Sequence, residues 1–515
     1  MLIAANTAAA QSVRGTARET GTGLPISGAV VWLGDSAGAL LARSIADVDG
    51  RFSVVRLAAS ARLHVLHIGF RPVDLAIDPG APDPVINVQM SPVPLALAAI
   101  EASSRRVCPG DKGTSDALDL WEQARSALLA GVVARETAPP KMRIMSFTRS
   151  YDPIAHTLLS QSVRARDMIG DHSYVAGRSA WAFAEEGYMR EEVGGARTYY
   201  APDDNVMLDP AFAGTHCMRV VQGDGAKKND IGLSFEPVRD QRRDTLVDLA
   251  GVLWIDRGTN VLRSVEFHYV GLEPAGRASG GEIFFSTMPN GAPMIDHWML
   301  RFAVIVDDIP LHPGLLRRRK LDRSQRTDVS VTEFRESGGA VAVAEWPDGT
   351  DWRSPYLSAV RGQLLHLNGS PAAGVRVWLQ NTPDTTTTSV DGYFTIQNVL
   401  PGRYSLRGAD SVLARVGITR VWGEARVGPD APKGRPLWFY YSRGEVLKLA
   451  CRGQSVPPGT GIVLGRVVNS TGDAVPDAQV TAHWNVPQGD SSSAPTSART
   501  TEADADGRFA FCGAP

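Results

Sequence analysis

Over most of the chain, apolar residues recur at every second position in short runs separated by Gly, Pro, Asp and Asn, which predicts many short strands joined by turns. One segment departs from this rule. Leu118, Trp121, Ala124, Leu128 and Val132 recur at three- and four-residue steps, predicting a helix over 115–133 that Thr114 or Ser115 caps and that ends before Pro139-Pro140. From Met142 to Val306 the period returns to two and predicts an antiparallel meander. Its clearest hairpin runs from Val247 to Asp256, turns at Gly258-Thr259-Asn260 and returns through Tyr269, with Val261, Val265, Phe267 and Tyr269 on one face and Ser264, Glu266 and His268 on the other. A second runs from Glu282 through Asn290-Gly291 to Arg301.

A three-part pattern recurs three times. The first copy has Val13-Arg14-Gly15, then Pro25 to Leu33, then Asp47-Val48-Asp49-Gly50-Arg51-Phe52. The second has Val360-Arg361-Gly362, then Pro371 to Leu379, then Val390-Asp391-Gly392-Tyr393-Phe394. The third has Leu464-Gly465-Arg466-Val467, then Pro476 to Ala482, then Asp504-Ala505-Asp506-Gly507-Arg508-Phe509. Spacings from the first Gly to the turn Gly are 35, 30 and 42 residues, Gly15 to Gly50, Gly362 to Gly392 and Gly465 to Gly507. Constant elements with a variable middle loop are what a sandwich framework produces, and Asp-Gly before an aromatic marks a hairpin entering a core strand.

These residues, with Pro401-Gly402-Arg403-Tyr404 as a turn into the next strand, resemble the carboxypeptidase regulatory-like family, a transthyretin-like β-sandwich. The resemblance implies an appendage without catalytic residues of its own, of the kind found on carboxypeptidases, outer-membrane receptors and adhesins. Since superficially similar sandwiches bind starch, it makes carbohydrate the first ligand to expect. The order of helix then meander is similar to the half-barrel of periplasmic lipoprotein carriers, which would imply a lipid or other apolar ligand beneath the helix.

The expected fold is therefore mainly β: three regulatory-like sandwich modules flanking a central α+β region with one helix on a curved antiparallel sheet. The expected organisation is a signal-peptide remnant at 1–10, sandwiches at 11–91 and 346–450, a linker at 92–113, the helix and meander at 114–345, and a third sandwich at 451–515 that stops short of its full strand set. Leu2 to Ala10 reads like the end of a secretory signal without its basic start. No apolar run is long enough for a membrane-spanning helix, and a formal net charge of −2 offers no global field for nucleic acid. Four cysteines allow three pairings. Cys451 and Cys512 bracket the third module at two expected strand positions and form the first candidate bridge, which leaves Cys108 and Cys217 to join the linker to the central sheet. Disulfides place the protein in a secreted, periplasmic or cell-surface location.

Candidate chemistry is sparse. Gly34-Asp35-Ser36-Ala37-Gly38 matches a nucleophile-elbow pattern, but it falls between two strands with no helix after it, so hydrolysis by Ser36 is a distant alternative. No His-x-x-Glu or His-Glu-x-x-His spacing occurs among the 10 histidines, and the calcium-loop mimic at Glu502 to Gly507 would need a carboxylate where Gly513 stands. No catalytic, cofactor-binding or metal-ligating residue is expected. His216-Cys217 near Asp203-Asp204 suggests a thiol site only if the cysteine is free. Possible ligand contacts are the basic run Arg317-Arg318-Arg319, facing anionic lipid or polysaccharide, and the rings of Trp438 and Tyr440, which share one face of a strand. The expectation is a non-catalytic, exported binding or structural protein of the cell envelope.

Overall fold

The computed structural model describes residues 11–78, 84–93, 106–111, 116–170, 172–192, 196–239, 243–307, 329–409, 413, 418–428, 431, 436–451, 456–485 and 496–514. The chain is mainly β and divides into two units, Met1–Pro355 and Tyr356–Pro515. The expected signal remnant at 1–10, the helix caps Thr114 and Ser115, and the basic run from Arg317 lie outside the described residues.

In the first unit, the first signature folds into a sandwich of a three-stranded and a four-stranded sheet. Ser12–Glu19 lies between Arg51–Val55 and Val85–Met90, pairing antiparallel with the former and parallel with the latter. Facing it are Leu40–Ile45, Val30–Gly34, Arg62–Leu66 and Val73–Ala76 in that order. Val13, Ala17, Val31, Leu33, Phe52, Leu63 and Val65 fill the space between, each on the inward phase of its strand.

The central region is a ten-stranded antiparallel sheet. It runs in sequence order from His216–Gln222 through Asp230–Pro237, Asp248–Asp256, Leu262–Val270, Gly280–Thr287 and Pro293–Asp307 to Val329–Glu345, with Asp351–Arg353 added beside the last. The hairpin Lys141–Tyr151 and Leu158–Ile169 comes first in sequence but joins at the far edge, against Val329–Glu345. A simple meander from Met142 is corrected to this closure. The cause is the intervening segment, which the strand reading missed: helices Ala180–Glu186, Asp204–Leu208 and Pro210–Thr215, and the ribbon of Met189–Glu191 with Arg197–Tyr199. Ser179, Asp203 and Asp209 cap these helices by accepting from the N–H groups of Ala182, Val206 and Ala211, at 3.3, 2.8 and 2.8 Å.

The long helix spans Asp116–Thr137. An amphipathic helix with one buried face was expected, but residues around most of its circumference are buried, because it is packed on two sides. Leu120, Trp121, Ala124 and Leu128 meet Phe212, Phe235, Leu249 and Val265 in the central core, while Ala130 and Val133 meet Val30 of the first sandwich. Gln123 accepts from the N–H of Gly69 at 2.6 Å, and Arg43 pairs with Glu136 at 2.5 Å, tying the sandwich to the helix. Buried ion pairs add directional constraints: Arg135 with Asp204 at 2.6 Å, Arg197 with Glu273, and Arg243 with Asp248. Cys108 and Cys217 are bridged, with Cα atoms 4.1 Å apart.

In the second unit, Ser358–His366 lies between Tyr393–Val399 and Leu437–Tyr440, again antiparallel to the first and parallel to the second. The facing sheet is Thr385–Thr387, Arg376–Leu379, Gly402–Ala409 and Val421–Val427. This repeats the first sandwich strand for strand. Four further strands, Gly461–Arg466 with Arg508–Ala514 and Gln479–Asn485 with Thr496–Glu502, follow the opening of the same plan. The turn glycine is equivalent in all three. Gly50, Gly392 and Gly507 have φ of 73°, 75° and 73°, and a Cβ on each would fall 2.5, 2.4 and 2.4 Å from the carbonyl oxygens of Ala17, Leu364 and Val467. Cys451 and Cys512 are bridged at a Cα separation of 5.9 Å. Cys451 is not on a strand, however: it follows the helix Arg443–Ala450, which a capping box initiates, with Ser442 Oγ accepting from Glu445 N–H at 3.2 Å and Glu445 accepting from Ser442 N–H at 2.7 Å.

Candidate functional site

None of the sequence candidates for catalysis is assembled into a site. Ser36 is exposed in a turn where Asp35 accepts from the N–H groups of Ala37 and Ala39, both at 2.8 Å. Among the described residues no base is hydrogen-bonded to it, and its context is strand-turn-strand. The sulfur of Cys217 is consumed in its bridge, and His216 stacks on Phe212 with Nδ1 2.9 Å from that residue's carbonyl oxygen, so no thiol site forms. The calcium-loop mimic is a tight turn between two sheets and not the expected hairpin, because Thr496–Glu502 and Arg508–Ala514 do not pair: Asp504 accepts from Asp506 and Arg508 N–H at 3.0 and 2.8 Å, and Asp506 pairs with the Arg508 guanidinium. Among the described residues, no group of three His, Cys, Asp or Glu side chains is placed to hold a metal, and no helix is long and apolar enough to cross a membrane.

Trp438 and Tyr440 share a face as expected, but that face is the core, which corrects their reading as ligand contacts. They are 6% and 7% exposed. A Cβ on Gly362 would fall 2.0 Å from the Trp438 ring, so the glycine of the repeated first strand is what admits this indole. Arg420 covers the Tyr440 ring at 3.9 Å. The space beneath the long helix, which a carrier of apolar ligands would need open, is filled by the central core, with Trp121 6% exposed against Phe212 at 6.1 Å.

A further concave feature lies within the second unit, at residues that the sequence reading did not bring together. A cleft of about 660 Å3 runs between the outer face of the sheet containing Arg376–Leu379 and the strand ends of the third module. Its floor follows from strand alternation: Val377, Leu379, Tyr404 and Leu406 turn inward, so Arg376, Trp378 and Arg407 turn outward. Trp378 stands directly opposite Arg407, and Arg407 opposite Trp422, giving a row of indole, guanidinium and indole across three neighbouring strands. With strands about 5 Å apart, the two indoles are rooted about 10 Å apart. Trp422 is 39% exposed and Trp378 partly so. The Arg376 guanidinium lies 6.0 Å from the centre of the Trp378 ring.

Arg466, Asp506 and Arg508 close the cleft from the other side. Arg466 donates to the carbonyl of Asp506 at 2.9 Å. Arg407 donates to the Leu406 carbonyl at 3.2 Å, and among the described residues no carboxylate lies within ion-pair distance of it. Burial, and next the like charge of Arg508, lowers its proton affinity from the ordinary guanidinium value, while Asp506 opposes the shift. It stays charged, since a guanidinium does not lose its proton in proteins. The signal in the sequence was the pair of outward-phase positions in Arg376-Val377-Trp378-Leu379 together with Arg407, but the partner strands that align them are 29 and more residues away, Trp378 to Arg407.

The model of the carboxypeptidase regulatory-like domain matches residues 359–414. Solved structures to which the chain is similar include BcpA, the major pilin subunit of Bacillus cereus, at 8% identity and a TM-score of 0.14 over 84% of this chain and 99% of that one. The Bacillus anthracis TIE protein aligns at 9% identity and a TM-score of 0.14, over 72% and 75% of the two chains. A 9R-lipoxygenase from Cyanothece PCC8801 aligns at 10% identity and the same TM-score of 0.14, over 57% and 39%. Scores this low do not describe a shared fold. No curated protein sequence matches the chain. The match falls on the part of the second unit whose sheet carries Arg376, Trp378 and Arg407.

Proposed function

We propose that this is an exported, non-catalytic, multi-module protein of the cell envelope that binds carbohydrate in the cleft of its second unit. The observation that carries this reading is the row of Trp378, Arg407 and Trp422 on the outer face of a sandwich sheet, of which Trp378 and Arg407 line the cleft of about 660 Å3 and Trp422 continues the row on the next strand, outside the cleft's lining. Exposed indoles offer flat apolar surfaces to the faces of sugar rings, while guanidinium groups between them donate to hydroxyl oxygens. A rigid sheet holds them in place without a loop to order. Two disulfides suit an oxidising compartment, because thiols in the cytosol are kept reduced. Envelope attachment, partner and the role of the first unit follow as parts of the same proposal, with the packed helix and sheet serving as a rigid spacer.

The test is a glycan-array screen of the full chain beside the double variant Trp378→Ala, Trp422→Ala. Binding that disappears in the variant, at unchanged thermal stability, is the expected result. Equal binding by both proteins would place the carbohydrate elsewhere, and an empty array would remove the reading.

A further inference from the structure

The cleft is not charge-balanced, and this points to a narrower ligand class. Several buried or half-buried arginines of the first unit have carboxylate partners: Arg135 has Asp204, Arg197 has Glu273, Arg243 has Asp248 and Arg178 has Glu186. Four arginines line the cleft, Arg376, Arg407, Arg466 and Arg508, against two aspartates, Asp384 and Asp506. Only Arg508 among the four has an ion pair with a described residue. Arg376 donates instead to the Thr385 hydroxyl at 3.3 Å. The chain as a whole carries a formal charge of −2, so this excess is local and not a reflection of composition.

We propose that the ligand is an acidic polysaccharide, whose sugar rings lie along Trp378 and Trp422 while its carboxylate or sulfate groups are taken by Arg407 and Arg376 from the floor and Arg466 from the opposite wall. The proposal rests on the carbohydrate reading above and adds the sign of the charge. A guanidinium meets a carboxylate or a sulfate through two parallel N–H donors, a geometry that a planar fork satisfies and a neutral hydroxyl does not. Because three of these arginines have no carboxylate partner among the described residues, an acidic ligand gains their attraction without first breaking any of the ion pairs found there. The indoles supply what charge alone does not, a preference for a chain of rings over free anions.

The experiment is calorimetric titration of the full chain with polygalacturonate, dextran sulfate and neutral dextran, repeated for Arg407→Gln and, as a control on the opposite sheet, Arg361→Gln. One or both acidic polymers bind, neutral dextran binds at least about tenfold more weakly, and added salt weakens the acidic interaction. Arg407→Gln lowers the acidic affinity about tenfold or more while leaving the melting temperature in place, and Arg361→Gln changes neither. Binding of polygalacturonate alone identifies carboxylate as the recognised group, and binding of dextran sulfate alone identifies sulfate. Equal affinity for neutral dextran, lost in Trp378→Ala but not in Arg407→Gln, would overturn the acidic preference and leave carbohydrate binding standing. Competition by single-stranded DNA at equal strength would overturn it as well, since stacking and charge without sugar selectivity would then account for the site. Binding of none of the three polymers would remove both readings.

Discussion

The bridge between Cys451 and Cys512 carries an unusual share of the third module's stability, and its removal tests that directly. Among its described residues few apolar side chains are buried: Ala503, Phe511 and Ala514 are below a tenth exposed, while Val463 and Val468 are 48% and 46% exposed. The bridge joins the end of the helix Arg443–Ala450 to the strand Arg508–Ala514, closing a separation of 61 residues. Loop-closure entropy for a loop of that size corresponds to about 4 kcal/mol in the chain-entropy model. A whole domain has only about 5–15 kcal/mol of net stability, and a module with so small a core lies toward the lower end. The double variant Cys451→Ser, Cys512→Ser, which leaves no unpaired thiol, should therefore unfold the third module well before the rest of the chain. Limited proteolysis followed by mass spectrometry should show rapid cleavage within 456–514 in the variant and slow cleavage in the wild type. The corresponding Cys108→Ser, Cys217→Ser variant should retain its central region, which has a large core of its own. Identical proteolysis of wild type and the Cys451 and Cys512 variant would refute the reasoning.

Trp121→Ala should destabilise the first unit by about 3–5 kcal/mol, read as a lower denaturation midpoint at unchanged slope, because the indole is 6% exposed within a filled core; a loss below about 1 kcal/mol would mean an adaptable cavity. Gly392→Ala should weaken the second sandwich by about 1–3 kcal/mol in the same assay, since φ is 75° and the new Cβ meets the Leu364 carbonyl; an unchanged midpoint would contradict the equivalence of the three turns. Burial raises the Asp256 carboxyl, but hydrogen bonds from Arg263 and Thr259 outweigh it and hold the carboxyl at about 2. A depressed folded value means that its contribution is fully present above the unfolded value near ~3.9 and is lost as pH falls through about 2. Acid titration of stability should consequently be shallower between pH ~4 and ~2 in Asp256→Asn than in the wild type, and parallel curves would contradict the assignment.

What could be read from the chain and what could not divide along the range of the interactions. The turn Asp47 to Phe52 and its two equivalents are local and form as tight turns, but not as the hairpins the residues predict: the strand after each turn crosses to the other sheet and pairs with the module's first strand, a long-range choice that the turn does not encode. The hairpin turning at Gly258-Thr259-Asn260 is local too, and Val265, Phe267 and Tyr269 are buried together on one face. The segment Val446 to Ala450 deceived the strand reading because five alternating residues cannot distinguish a strand from one helical turn; the capping box at Ser442 and Glu445 was the better signal. The edge placement of Lys141–Tyr151 depends on three short capped helices whose apolar residues are too few to show a period. At Trp438, alternation identified which rings share a face but not which face meets the core, because both phases of Leu437-Trp438-Phe439-Tyr440 are apolar. The cleft escaped for a related reason. Arg376, Trp378 and Arg407 read singly as solvated surface, and only sheet register together with the third module's strand ends makes them one site.

The central claim, that the second unit holds a carbohydrate across Trp378 and Trp422, is tested most directly by hydroxyl-radical footprinting of the full chain, read by mass spectrometry, with and without a mixture of polygalacturonate, dextran sulfate and dextran. The account predicts that oxidation of Trp378 and Trp422 falls on addition of the polymers while that of the exposed Trp181 in the first unit is unchanged. Protection confined to residues of Met1–Pro355, with Trp378 and Trp422 oxidised as before, would contradict it.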